Sequence, residues 1–288
     1  MSYSADGAGG QAAANAPAVI AQGAEAGVLI EDAGGVRRIT LNRPAAANAV
    51  RPEDRDLIIE SLADADADHG VRVVLLSSRG RHFCSGADLT GLSRGSDAGP
   101  PRVGDGMRRI MTGAQRLIAA VLDCGKPVIA MVQGPAAGLG AHLALASDLV
   151  VAAEEAFFVE SFVRRGLVVD AGGAYLLPRR IGLQKAKELA FFGDKLPAAE
   201  AKALGLVNEV VPGDRLEEAA LRWARRLSDA PTTAIALTKR LFNASLDGDR
   251  AASFLAEGMA QELQSRAEDS TEGVRSFLER REPRYKGR

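Results

Sequence analysis

Residues 134–142 read GPAAGLGAH, and residues 83–89 read FCSGADL. Each stretch follows an apolar run typical of a buried strand, and each leads into a helical pattern. This arrangement places backbone N–H groups at a helix N-terminus, where partial positive charge accumulates. A single glycine loop of this kind is weak evidence, because a tight turn also requires glycine. The pair indicates a functional site much more strongly.

The residues around these loops predict alternating strands and helices. The strand that begins at Val28 and the strand from Val36 to Leu41 are predicted to form a hairpin with a turn at Gly34-Gly35. Further strands are predicted at residues 71–76, 128–132 and 149–152, and helices at residues 51–67, at residues 107–122 and after Gly138. A spiral α/β core over residues 27–211 is the simplest account.

The two ends of the chain have a different composition. After Pro212 the strand-like runs disappear, and helical patterns cover residues 216–227, 232–246 and 251–267, so residues 212–288 are predicted to be an all-helical region. Residues 1–26 consist mainly of Ala, Gly, Ser and Gln. They cannot bury enough apolar surface to offset the entropy of ordering, and they are predicted to be a disordered tail.

The overall composition excludes several classes of protein. With 47% hydrophobic and 25% charged residues and a net charge of -1, the chain matches an ordinary soluble globular protein and has no strongly basic character for nucleic acid. No run of 18 apolar residues indicates a membrane span, and no leader for export is evident. The only two cysteines, Cys84 and Cys124, are predicted to be packing residues in a reducing, cytoplasmic setting.

Four motifs together resemble the enoyl-CoA hydratase/isomerase family, the crotonases. They are Leu41-Asn42-Arg43-Pro44 with Asn48, residues 83–89, residues 134–148 and residues 166–173, in the family's order and spacing. The resemblance implies a spiral of β-β-α units over residues 27–211. It also implies that residues 212–288 form a helical region that packs homotrimers, often paired into hexamers. The substrate would be an acyl group carried as its coenzyme A thioester, with no permanently bound cofactor and no metal.

The resemblance also implies which backbone groups assist the reaction. The N–H groups of Ala87 and Leu139 would form an oxyanion hole for the thioester oxygen, which gains charge as the thioester becomes an enolate. Each such donor is typically worth about 3 kcal/mol in the transition state. Leu139 is larger than the glycine common at this position in the family, and it is expected to narrow the pocket without removing the hole.

The acid and base residues depart from those of a hydratase. The positions that match the two hydratase glutamates carry His142 and Phe162, and phenylalanine cannot transfer a proton. Asp170 lies at a position that isomerase and dehalogenase members of the family use. Together with Glu160-Ser161-Phe162, it resembles the ring-epoxide acyl-CoA isomerases of phenylacetate breakdown.

Each of these side chains also has a structural interpretation. Asp170 could instead be an N-cap for the helix that follows it, although burial beside Phe162 would raise its pKa and make it a better base. His142 could be a hydrogen-bonded structural histidine, and Glu160 could either face the pocket or form an ion pair. Asp148 is interpreted as a structural acid.

Coenzyme A is expected near Ala45 to Ala47 and near Asp88 and Leu89, by the same resemblance. The family often has a basic residue in the first of these stretches, where this chain has only alanine. Lys239 or Arg240, on a C-terminal helix that reaches its own or a neighbouring subunit, is therefore predicted to contact the phosphates, with Phe242 beside it. The alternative is an exposed basic helix face.

Three functions remain open from the sequence. The leading hypothesis is an isomerase that shifts a double bond or opens an activated ring, with Asp170 as the base. The second is an enoyl-CoA hydratase that recruits water through His142 or Glu160. The third is an acyl-CoA binding protein without activity, and the presence of Asp170 argues against it.

Overall fold

A seven-stranded sheet forms the centre of the molecule. The computed structural model of the chain describes residues 18–19, 26–90 and 102–288. The strands are β1 (Ala18–Val19), β2 (Val28–Ala33), β3 (Val36–Leu41), β4 (Val73–Ser78), β5 (Val128–Val132), β6 (Pro135–Ala137), β7 (Leu149–Ala153), β8 (Phe157–Val159), β9 (Lys195–Pro197) and β10 (Glu209–Val211). The large sheet has the order β1-β2-β3-β4-β5-β7-β10, and a small sheet has the order β6-β8-β9.

The predicted hairpin is confirmed. Strands β2 and β3 pair antiparallel, with Ala33 opposite Val36. The two residues between them, Gly34 and Gly35, have φ angles of 57° and 78°, which a two-residue hairpin turn requires and glycine adopts without strain. From β3 onwards, the large sheet is parallel.

Helices alternate with the strands and then follow them. They are α1 (Pro52–Ala67), α2 (Asp105–Ile110), α3 (Arg116–Asp123), α4 (Leu139–Ala146), α5 (Gly173–Ile181), α6 (Leu183–Phe192), α7 (Ala198–Ala203), α8 (Leu216–Ser228), α9 (Thr232–Ser245), α10 (Arg250–Gln264) and α11 (Glu268–Glu279). One-turn 3-10 helices lie at Pro44–Ala46, Val163–Arg165 and Gly213–Arg215. The fold is α/β, with two sheets and C-terminal helices.

The helix predicted over residues 107–122 is interrupted. A π-helical turn at Met111–Gln115 separates α2 from α3. Gly113 within this turn is buried, and a Cβ atom there would lie 2.7 Å from an Arg55 guanidinium nitrogen. The Arg55 side chain of α1 thus packs closely against this turn, which the apolar periodicity of the segment does not reveal.

Both faces of the large sheet are covered, as its continuous apolar strands predict. One face packs with α1, α3 and α4 in the main core. On the other face, α8 contributes Leu216, Ala219, Ala220 and Ala224 to a second cluster with residues of β4, β5 and β7. The structure therefore places α8 with the core, although the sequence assigned it to the C-terminal region that begins at residue 212.

The predicted disordered tail contains a short strand. Residues Ala18–Val19 pair antiparallel with β2, opposite Asp32 and Glu31. This pairing corrects the prediction for those two residues. Most of the remaining tail lies outside the described residues. In the part of the chain that the structure describes, no helix is long and apolar enough to cross a membrane.

Candidate active site

The two glycine loops of the sequence lie against each other. Cys84 of the first loop forms a parallel bridge with Ala136 of the second, and the Ala137 amide donates to the Cys84 carbonyl at 2.9 Å. Helix α4 begins directly over this bridge, so a Cβ atom at Gly140 would overlap the Cys84 backbone. Glycine is thus required for the loops to meet.

The amides of Ala87 and Leu139 lie on these adjoining turns. Leu139 is the first residue of α4 and follows the N-cap residue Gly138. No side chain caps this end of the helix. The Leu139 amide belongs to the first turn, where no intrahelical acceptor exists. The bridge between Val50 and Ala87 uses the Gly86 carbonyl and the Asp88 amide, which leaves the Ala87 amide out of the pairing. A Cβ atom at Gly86 would lie 3.8 Å from the Leu139 nitrogen, so the turns are adjacent.

His142 and Glu160 form a buried hydrogen-bonded pair. His142 lies on α4, three residues after Leu139, and its side chain has no exposed surface. Its Nε2 atom is 3.0 Å from Glu160 Oε2, and Glu160 is only 3% exposed at the end of β8. The Nδ1 atom of His142 has no hydrogen-bond partner among the described residues. The sequence left Glu160 between a pocket residue and an ion pair, and the structure shows the pair.

Phe162 covers the imidazole and the turn before α4. Its ring stacks on His142 with a centroid distance of 5.6 Å and an interplanar angle of 11°. A Cβ atom at Gly138 would lie 3.5 Å from Phe162 Cζ. The aromatic ring that replaces a hydratase glutamate therefore lies beside the turn that presents the Leu139 amide.

Asp170 is not the helix cap that the sequence allowed. The N-cap of α5 is Gly172, and no side chain caps that helix. The Asp170 carbonyl accepts the Gly173 amide at 2.9 Å, which closes a turn before α5. Its half-buried carboxyl has a pKa raised by burial, an effect that the nearby His142 charge opposes. The capping interpretation is therefore wrong, because the Asp170 carboxyl group does not bind the amides at the start of α5.

The Asp170 turn packs directly on the imidazole. A Cβ atom at Gly173 would overlap Cε1 and Nε2 of His142. Only glycine allows this contact. The structure thus brings together Phe162, Glu160, His142 and Asp170 beside the turns of Ala87 and Leu139, the two candidate oxyanion turns.

Comparison with known proteins agrees with this geometry. The sequence profile of the Enoyl-CoA hydratase/isomerase family matches residues 31–288. The chain belongs to this family. Enzymes of the family act on acyl-CoA thioesters without a bound cofactor. Among the described residues, no group of three His, Cys, Asp or Glu side chains could hold a metal ion.

Relatives in this family carry different descriptions. A Rhodobacter capsulatus protein described as "Probable enoyl-CoA hydratase" is 37% identical over 88% of this chain and 95% of its own length. A 1,2-epoxyphenylacetyl-CoA isomerase of Escherichia coli is 36% identical over 88% and 96% of the two chains. The crystal structure of an enoyl-CoA hydratase/isomerase from Cupriavidus metallidurans superposes with a TM-score of 0.83 at 38% identity, covering 89% of this chain and 95% of the other.

The segment expected near coenzyme A adjoins the first oxyanion loop of this crotonase. Ala45 lies in the 3-10 turn Pro44–Ala46, and Ala47 follows it with a φ of 50°. The Ala47 carbonyl accepts the Ser85 amide at 3.0 Å. The structure thus joins Ala45 to Ala47 to the loop that carries Ala87, Asp88 and the exposed Leu89.

Arg43 is a charged residue that the sequence interpretation missed in this segment. Its Nη1 atom donates to Asp88 Oδ2 at 2.8 Å and to the Ala49 carbonyl at 2.7 Å. The Asp88 pKa is lowered to about 2, first by the Thr90 hydroxyl and then by Arg43. Buried Asn48 fixes the same segment by accepting the Arg43 amide and donating to two carbonyls. Both residues belong to the quoted Leu41-to-Asn48 motif, which was the available signal.

Lys239 does not have the position that was predicted for it. It is only 9% exposed, and its ammonium contacts Asp148 Oδ2 at 2.8 Å and the carbonyls of Val121 and Lys126 at 3.0 and 3.3 Å. An ammonium has three protons, so these three acceptors use them all. The prediction of a phosphate contact is therefore corrected: Lys239 ties α9 to the core. Asp148 also accepts the Val128 amide at 2.7 Å, in agreement with its structural interpretation.

Phe242 and Arg240 lie elsewhere on α9. The exposed Phe242 lines a cavity of about 690 Å³ with Arg240, Tyr175 and Leu122. This cavity lies between the end of α3, α5 and α9, and neither Ala87 nor Leu139 lines it. The structure does not bring Phe242 to the oxyanion turns of the same chain.

Proposed function

We propose that the enzyme is an acyl-CoA isomerase in which Asp170 moves a proton while the Ala87 and Leu139 amides hold the thioester oxygen. The observation that supports this proposal is the position of the Asp170 carboxyl group. It is half-buried, is not used by the α5 cap, and lies next to His142 with a raised pKa. A carboxylate in such surroundings is a stronger base than one in water.

A single carboxyl group can perform both proton transfers of the proposed reaction. The Asp170 carboxylate removes a proton from the α or γ carbon, and the electron pair moves onto the thioester oxygen, where the two amides stabilise it. The resulting carboxylic acid returns the proton at the other end of the conjugated system, so the double bond shifts and the carboxylate is restored. Two amides, each worth about 3 kcal/mol, supply a large share of the stabilisation.

A hydratase is the second candidate, favoured by the description of the Rhodobacter relative. It would need Glu160 or His142 to hold water. Both are buried and bonded to each other, and Phe162 occupies the other glutamate position. A binding protein without activity is the third candidate, and the available Asp170 carboxyl argues against it.

The acyl group is proposed to be an unsaturated chain or an activated ring. The Escherichia coli relative described as a 1,2-epoxyphenylacetyl-CoA isomerase supports the ring, together with the Phe162 and Asp170 pattern. The coenzyme A moiety is proposed to lie along Ala45 to Ala47, Asp88 and Leu89. In a ligand complex, both amides should lie within about 3.2 Å of the thioester oxygen.

The functional unit is proposed to be a homotrimer or hexamer in the cytoplasm. Helix α10 has no buried residue, and its apolar side chains Phe254, Leu255, Met259 and Leu263 are exposed. A continuous apolar surface of this kind usually marks a protein interface. The two cysteines are free and buried, which fits a reducing compartment.

The absorbance of the conjugated thioester separates the three functions. The purified protein is mixed with crotonyl-CoA or with a 3-enoyl-CoA, alongside the Asp170→Asn variant. An isomerase raises the absorbance from the 3-enoyl-CoA and hardly lowers that of crotonyl-CoA. Loss of Asp170 should reduce the rate by about 10² to 10⁴-fold. Rapid loss of the crotonyl-CoA signal would instead identify a hydratase, and an unchanged signal from both substrates would leave a ring isomerase or a binding protein.

A further inference from the structure

A carboxylate lies directly beside one of the two candidate oxyanion turns. Asp88 follows Ala87 in the chain, and the side chain of Asp88 is only 10% exposed. Covalent geometry keeps its carboxylate within roughly 9 Å of the Ala87 amide nitrogen. Salt screens part-buried charges only weakly, so an unpaired carboxylate here would repel the negative charge that develops on the thioester oxygen. The position therefore calls for a compensating positive charge.

Arg43 provides this positive charge. Its Nη1 atom donates to Asp88 Oδ2 at 2.8 Å and to the Ala49 carbonyl at 2.7 Å. An arginine stays protonated in proteins. The pKa of Asp88 is lowered to about 2 by the Thr90 hydroxyl and by Arg43, so the carboxylate is ionised throughout the pH range of an enzyme assay. The two side chains are therefore an ion pair under all such conditions.

The remaining bonds of Asp88 fix the carboxylate beside the Ala87 turn. Asp88 Oδ1 accepts the Thr90 amide at 3.0 Å and the Thr90 hydroxyl at 2.6 Å. The Asp88 amide donates to the Val50 carbonyl at 2.9 Å, and the Val50 amide donates to the Gly86 carbonyl at 2.9 Å. These backbone bonds lie on either side of Ala87. The bonds that shape the turn thus also hold the carboxylate near it.

The second arginine of this segment is bonded to a different carboxylate. Arg51 Nε and Nη2 donate to Asp54 Oδ2 and Oδ1, both at 2.8 Å. Arg51 also attracts Asp88, but as a more distant charge. Asp54 lies 3.9 Å from Arg43 Nη1, beyond hydrogen-bond distance. Each carboxylate therefore has its own arginine, and Arg43 is the one bonded to Asp88.

We propose that Arg43 is a positioning residue for the reaction: it neutralises the Asp88 carboxylate, so that this side chain can hold the Ala87 turn without repelling the thioester enolate. This inference rests on the proposed role of the Ala87 amide as an oxyanion donor. Arg43 acts through Asp88 and not on the acyl group itself.

Acetoacetyl-CoA tests the proposal without a turnover step. Its C2 protons are acidic, and its enolate absorbs at longer wavelength than the keto form. The enolate-to-keto ratio of the bound thioester therefore reports how well the site stabilises an enolate. Arg43→Met leaves the Asp88 carboxylate unpaired and should lower this ratio by about tenfold, as expected for a unit charge roughly 10 Å away in a protein. The double variant Arg43→Met/Asp88→Asn should recover most of the loss, because neither charge remains.

Asp88→Asn alone gives a second test, which stands even if Arg43→Met does not fold. The amide is neutral, so the ratio should be equal to that of the unaltered enzyme or higher. Arg38→Met is the matched control, because Arg38 is 26% exposed, close to the 24% of Arg43, and pairs instead with Glu217 of α8. Its ratio should not change. Turnover of a 3-enoyl-CoA should rank the variants in the same order by kcat, with KM nearly constant.

Three outcomes would overturn the proposal. The first is a folded Arg43→Met with the same ratio as the unaltered enzyme, where thermal unfolding shows whether the variant is folded. The second is a double variant as impaired as Arg43→Met, which would mean that Arg43 only ties the loop. The third is a lowered ratio in Asp88→Asn. If the unaltered enzyme does not raise the enolate fraction above that in free solution, the proposed oxyanion site fails instead, so the two failures are distinguishable.

Discussion

In the proposed site, Phe162 occupies the position where the family resemblance places one of the two glutamates of a hydratase. A phenyl ring neither accepts nor donates a proton, and the missing acid or base commonly costs about 10² to 10⁴-fold in rate. We therefore expect hydration of crotonyl-CoA to be slower than in an efficient hydratase by that factor. The initial rate of absorbance loss measures it. A rate equal to that of a two-glutamate hydratase measured in parallel would contradict this prediction. It would indicate that Glu160 or His142 acts as the acid or base for hydration.

Gly173 is the residue at which the catalytic turn and the buried pair meet. A methyl group there would overlap the imidazole, so Gly173→Ala should lower the free energy of unfolding by about 1–3 kcal/mol, as overpacking does. It should also reduce kcat, because the turn must move. Urea unfolding and steady-state kinetics measure the two effects. Gly106→Ala, in α2 with open space around it, is the control and should not destabilise the protein. Equal stability of the two variants would contradict the close contact.

A buried lysine helps to attach helix α9 to the core, beside the bond from Asn243 to the Leu122 carbonyl. Lys239→Met removes the cation and leaves the part-buried Asp148 without its charged partner, which should cost up to about 3 kcal/mol. Arg240→Met, at the next and exposed position of the helix, is the control and should change stability by less than about 0.5 kcal/mol. Denaturant unfolding of both variants checks the difference. Similar values for the two would mean that Lys239 does not hold the helix.

The elements differ in how far the sequence alone could predict them. The hairpin and helices α8, α9 and α10 were predicted within a few residues because each is long enough to show its period, and β5 was predicted from its continuous apolar run. Strands β6, β8 and β9 have three residues each, which is too short for a period to be recognised in the sequence. Lys239 and Thr232, seven residues apart and thus on the same helix face, are both buried, but two polar residues give no signal of that burial in the sequence.

The candidate site, like the fold, could be predicted from the sequence only in part. The motifs located the turns of Ala87 and Leu139, since glycine spacing is a local property. The bond between His142 and Glu160 joins residues 18 positions apart, on a helix and after a strand, so only the folded chain shows it. The rejection of Asp170 as a cap likewise depended on where α5 begins.

At the scale of the whole molecule, the C-terminal helices have two different tasks. Helix α8 covers one face of the sheet, so truncation at Pro212 would expose residues such as Leu75 and Ile129 and should give insoluble protein. Pelleting of the expressed fragment checks this. A soluble, cooperatively folding fragment that ends at Pro212 would show that α8 is dispensable.

We propose that helix α10 has the other task, which is assembly. Its apolar side chains have no cover within the described chain, and closed cyclic symmetry would bury them on every subunit. Light scattering of the intact chain should therefore give the mass of a trimer or hexamer at micromolar concentration. Phe254→Glu with Met259→Glu would place two carboxylates in that interface and should shift the mass towards the monomer, whereas Glu257→Gln on the same helix is the control and should leave it unchanged. A stable monomer of the unaltered chain would rule out the proposed assembly.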